Sequence, residues 1–169
     1  MHETDDDLAR LQRVLDDSYA AGGPHMRAIV SEDRRVSAAA LAERLVGVRL
    51  LVLGTTTADG RPITSPVDGI FYRGAFHFGS SPESVRIRHL RARPAVSATH
   101  LPGEELSVSV HGRAVEVDVH APEHAGFKET LLGIYVPRYG ESWGDMLDGG
   151  AVYMRIEADK VLTFDGEGL

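Results

Sequence analysis

The chain has 169 residues, 43% of them hydrophobic and 25% charged, with 18 Lys and Arg against 25 Asp and Glu and a formal net charge of −7. That length and balance suit one globular domain with a real core, and the acidic excess argues against general nucleic-acid binding, which needs a basic stripe. With no cysteine there is no disulfide framework, thiol nucleophile or thiolate metal site. No apolar run approaches the roughly 18 residues of a spanning helix, and the acidic start MHETDDDLAR is no secretory signal. The expectation is a cytoplasmic protein without a membrane or nucleic-acid partner.

In chain order, Asp5, Asp6 and Asp7 stand where acidic groups favour the positive end of a helix dipole. Leu8, Leu11, Leu15 and Tyr19 then recur on one helical face, and AAGGP ends the segment. Residues 1–36 are read as an N-terminal helical arm packed on the body or on a partner chain, and 37–169 as the main domain. Ser37 is placed to cap a second helix, AAALAERLV, with Val36 and Leu41 as a hydrophobic staple and Gly47 beyond its end.

The pattern then turns to strand. VRLLVLGTTT is rich in β-formers, ADGR carries the Asp-Gly hairpin signal, and PITSPVDGIFY returns as a second strand. Pro62 and Pro66 put part of that strand at an edge or bulge, where no ladder donor is needed. AFHFG is a third strand, residues 82–92 a helix ended before Pro94, and AVSATHL a fourth strand. LSVSVHGRAVEVDV alternates as a long fifth strand, with a bulge or bend at Gly112. APEHAGFKETLLGIYV is a helix with an early proline, and AVYMRIEADKVLTF is a sixth strand bent near EADK. Six strands in hairpin-like order with few, peripheral helices predict a mainly β fold, a small antiparallel barrel.

One stretch carries chemistry. SSPESVRIRHLRARP puts hydroxyls and then arginines where a strand gives way to a helix. Read first, it is a solvated surface helix capped by Ser81. Read second, it is an anion cradle: free amides of a first helical turn, hydroxyls of Ser80, Ser81 and Ser84, and the forked guanidinium of Arg86. It lacks the Gly-Lys-Ser/Thr of a P-loop and is no dinucleotide fingerprint.

The order TADGRPITSPV, FHFGSS, ESVRIRHLRARP, VSVHGRAVEV resembles the pyridoxamine 5′-phosphate oxidase-like, FMN-binding split-barrel superfamily over residues 45–119, and more loosely in YMRIEADKVLTF. The resemblance implies a six-stranded antiparallel split barrel that forms a homodimer, with flavin sites between subunits. It implies that Gly79, Ser80, Ser81, Ser84 and Arg86 hold the flavin phosphate, with arginine where the family usually has lysine. It implies that Thr64, Ser65, Pro66 and Val67 run beside the flavin ring and that Ser107 reaches the cofactor from the long strand. The ending VLTFDGEGL departs from the Arg-Leu-x-Pro tail of vitamin B6 oxidases, so oxidation of that vitamin is not expected.

The implied function is an FMN-dependent oxidoreductase with a small-molecule substrate and no catalytic side chain of its own. The alternative within the fold is coenzyme F420, whose acidic tail would want further arginines such as Arg88, Arg91 and Arg93. Alternatives of another class are a non-catalytic flavin- or haem-sequestering protein and a barrel with an empty pocket. His120 and His124 do not make a metal site, since Pro122 intervenes and no acidic partner is spaced for one. His77, His100 and His111 are read as strand residues, with His111 able to face a cofactor. Trp143 is read as core filling or a ligand cover, and Tyr135, Arg138 and Tyr139 as candidates for the substrate opening.

Overall fold

The computed structural model describes residues 2–166. Helix α1 (Asp5–Ala20) starts on a capping box: Thr4 accepts from the Asp7 amide and Asp7 accepts from the Thr4 amide. A short helix α2 (Pro24–Ile29) follows, with Pro24 at its start. Helix α3 (Ala38–Arg44) is capped by the Ser37 hydroxyl on the Ala40 amide, with Val36 and Leu41 both buried. Gly47, at φ 81°, turns the chain into the barrel.

The strands β1 (Val48–Thr56), β2 (Pro62–Tyr72), β3 (Ala75–Ser80), β4 (Ala95–His100), β5 (Leu106–Val117) and β6 (Val152–Asp165) close in the order β1-β2-β3-β6-β5-β4, all antiparallel. Helix α4 (Val85–Ala92) joins β3 to β4; α5 (Ala125–Tyr139) and α6 (Trp143–Asp148) join β5 to β6. The sixfold strand expectation holds, while α2 and α6, each one or two turns long, carry too little periodicity to be read from sequence.

Two local features bear on the site. First, β2 pairs with β1 along residues 62–70 but with β3 only from Gly69 onward. The first half of β2 is therefore an edge, which is why Pro62 and Pro66 are tolerated there. Second, the β5–β6 register shifts between His111 and Gly112, leaving Asp159 as the extra residue on β6. A Cβ at Gly112 would fall 2.0 Å from the Glu157 carbonyl oxygen, so the bulge requires glycine.

The main core fills the barrel and includes Phe76, Phe78, Leu51, Leu53 and Ile156, with Leu11, Leu15 and Tyr19 of α1 built into it. Beyond residue 155, β6 has no β3 partner. There α1 takes over: the Ser18 hydroxyl accepts from the Val161 amide, and Tyr19 Oη accepts from the Thr163 amide. A second core lies outside the barrel, where Phe127, Leu131, Tyr135, Trp143 and Leu147 cover Ile70 and Tyr153.

Candidate functional site

The turn after β3 is tied by its serines. Ser84 is the N-cap of α4 and accepts from the Ile87 amide at 3.3 Å; it also accepts from Ser80 Oγ at 3.0 Å. Ser81 accepts from the Ser84 amide through its carbonyl and from the Glu83 amide through its hydroxyl. Ile87 and Leu90 bury the inner face of α4. Arg86 is thereby held half-buried on the outer side, and its guanidinium has no partner among the described residues. A cation left unpaired beside the unsatisfied amides of a helix start is an anion-binding arrangement.

Arg86 faces a cleft of about 970 Å³, whose wall also includes Gly79, Ser80, Ser81 and the Pro66–Val67 part of β2. Gly79 is small for a reason: a Cβ there would lie 2.9 Å from the Tyr153 ring, which paves the cleft floor. The far wall is aromatic. Tyr135 and Trp143 stack at 4.4 Å between centroids and 14° between planes, and Tyr139 lies 6.1 Å from Tyr135 at 20°. Asp68, exposed on β2, accepts from Tyr135 Oη at 3.3 Å. Burial, and then the Asp68 charge, pushes the Tyr153 phenol up to about 12; the same two causes raise Tyr135. Both phenols are therefore neutral hydrogen-bond donors at physiological pH.

No family model and no curated protein matches the chain, but solved structures do. A conserved hypothetical protein, Rv2991 from Mycobacterium tuberculosis, superposes with a TM-score of 0.65 at 23% identity, over 79% of this chain and 88% of that one. An FAD-binding protein from Mesorhizobium loti gives 0.56 at 23% identity over 76% and 92%. An F420 reductase gives 0.53 at 19% identity over 70% and 92%. The haem storage protein HutZ from Vibrio cholerae and a putative pyridoxamine 5′-phosphate oxidase from Listeria innocua share the architecture at 18% and 14% identity. The fold is the six-stranded split barrel that these structures share.

Within this split barrel, Pro66, Val67, Gly79, Ser80, Ser81 and Arg86 line one cleft. Ser84 stands behind them, its hydroxyl committed to the helix cap and to Ser80. Thr64 and Ser65 continue β2 past the cleft wall. Ser107 is remote within the same chain: it pairs with Phe164, whereas β5 approaches the cleft at Val117, which pairs with Tyr153. Ten residues of strand separate those positions, roughly 33 Å.

Tyr135, Tyr139 and Trp143 all line the cleft and Arg138 does not. They stand four residues apart, though a turn at Gly140 breaks the helix between Tyr139 and Trp143. Asp68 and Tyr153 carried no sequence signal, since each only alternates with its strand. The histidines are engaged elsewhere. His111 is exposed and bonds Ser97 at 2.8 Å, His100 Nδ1 lies 2.9 Å from the Leu50 carbonyl, and His77 Nδ1 lies 3.1 Å from the Ala75 carbonyl. Arg91 pairs with Glu116 at 2.8 Å, and Arg93 donates to the Thr56 carbonyl at 2.9 Å. Among the described residues no cluster of three or more His, Asp or Glu is arranged to hold a metal, and no helix is long and apolar enough to cross a membrane.

Proposed function

We propose that this protein binds FMN in the β2–β3–α4 cleft and uses it as an oxidoreductase, working as a homodimer. The observation that carries the reading is Arg86: a guanidinium with no partner among the described residues, beside Ser80, Ser81 and a helix start, lining a cleft within the usual range of small-molecule sites. Arg86, the Ser81 hydroxyl and the first amides of α4 would hold the phosphate, with the Ser80 hydroxyl donated to Ser84 behind them. The unpaired edge of β2 offers backbone donors and acceptors to a planar heterocycle. Gly79 and Tyr153 leave a flat floor for it. FMN supplies the hydride chemistry when bound; the chain's residues bind, orient and exclude water.

The described cleft lining contains no histidine, which favours a flavin over a haem held through imidazole. Coenzyme F420 is the second reading, since the same corner suits its phosphate. It is less favoured because Arg91 and Arg93 are already engaged, leaving Arg88 as the exposed arginine of that helix.

Titration of the purified protein with FMN and with F420, followed by absorbance and fluorescence, tests the reading. Arg86→Ala is expected to weaken FMN by about 1.5–3 kcal/mol, the net worth of a hydrogen bond to a charged group. Failure of both cofactors to bind, or an affinity indifferent to Arg86, overturns it. Reduction of the FMN-loaded protein by NADPH then separates turnover from storage.

A further inference from the structure

The cleft that holds Arg86 also carries a carboxylate. Asp68 is the one acidic side chain among the described lining residues, as Arg86 is the one basic side chain. Among the described residues Asp68 forms no ion pair; its Oδ2 takes the Tyr135 hydroxyl, and Oδ1 is left without a donor. Around it stand the Tyr135–Trp143 stack and Tyr139, which is 60% exposed. An uncompensated carboxylate among aromatic faces attracts a cation twice, by charge and by the ring quadrupoles. It repels a second anion. Apolar Leu50, cross-strand from Asp68, and Met146 also line the cleft, so it accepts a hydrocarbon body as well.

We propose that Asp68, Tyr135, Tyr139 and Trp143 form a substrate subsite for an organic cation, an alkyl- or arylammonium. The substrate class rests on the reading of the cleft as a cofactor site, with the phosphate at Arg86 and the cation at Asp68. The binding itself does not depend on that reading.

Trp143 is the single tryptophan, so its fluorescence reports on this subsite directly. The test titrates the FMN-saturated protein, and the protein without FMN, with benzyltrimethylammonium, benzyl alcohol and benzoate. The cation is expected to bind about three- to tenfold more tightly than the alcohol, and benzoate most weakly; the range is modest because Asp68 is solvent-exposed. The preference should shrink as salt rises. Asp68→Asn should erase the preference while still binding benzyl alcohol, which shows that the variant is folded. Equal affinities of cation and alcohol, or a preference that survives Asp68→Asn, overturns the inference. Cation preference without FMN binding would sink the flavin reading and leave the cation subsite standing. FMN binding without cation preference would do the reverse.

Discussion

Arg86 and Ser84, two residues apart, divide the phosphate corner between a ligand-facing charge and a structural cap. Ser84 ties the helix start to Ser80, so Ser84→Ala is expected to cost about 1 kcal/mol of stability, the usual worth of a cap, measured by urea unfolding. His77 gives a sharper residue-scale prediction. Burial holds its imidazole down to about 3 from 6.5, opposed by the Ala75 carbonyl and assisted by Arg155 and His124. A folded pKa below the unfolded one means that the fold prefers the neutral ring. Its contribution is complete above the unfolded 6.5 and is lost as pH falls toward 3. Glu116 is held below its ordinary 4.5 by Arg91, and Glu157 likewise by Arg113 and Arg155, so both act lower on the scale. Between pH 6.5 and 4.5 the stability should therefore fall by at most about 1.4 kcal/mol per unit from this one group. His77→Asn, which can keep a donor toward Ala75, should flatten that slope in unfolding curves measured across the window. An unchanged slope would remove His77 as its source.

At the scale of elements, α1 replaces a missing strand. The amides of Val161 and Thr163 are buried and find their acceptors in Ser18 and Tyr19. Ser18→Ala or Tyr19→Phe strands a buried donor and should cost about 1–3 kcal/mol each. The Val161 and Thr163 amides should lose hydrogen-exchange protection selectively. Deletion of residues 1–36 exposes that β6 edge together with the apolar surface that Leu11, Leu15 and Tyr19 cover, and should yield aggregating protein. The face of α1 was readable from Leu11, Leu15 and Tyr19, all buried as the spacing predicts. Its target was not, because a hydroxyl that serves a distant strand leaves no periodic trace. The β2 edge was readable, since proline at two positions excludes a central strand whatever surrounds it.

For the whole molecule, the outward side of β1 displays Leu50, 66% exposed, and Val52, 54% exposed, with Leu101 just past β4 at 62%. Around Val52 lie Pro66 and Thr99 on the neighbouring strands, small or flat groups that admit close approach. A contiguous apolar patch of this kind marks an interaction surface, and the proposed homodimer would bury it. Val52→Glu is expected to shift sedimentation velocity from dimer to monomer and to release FMN in step. A monomeric variant that retains FMN would place the site within one chain.

The local rules alone determined most of the architecture. Alternation set the strands, Asp-Gly set the first hairpin, and Gly112 marked the β5–β6 irregularity, because each depends on neighbours within a few residues. The hydroxyl–arginine corner belonged to the same class, being contiguous in the chain. The tertiary structure decided what those pieces face. Asp68, Tyr153 and the Tyr135–Trp143 stack come from separate segments and meet only when the α5–α6 crossover folds over β2, β3 and β6. Barrel closure decides which alternating side chains point into one shared cleft, and single-strand periodicity is blind to that choice.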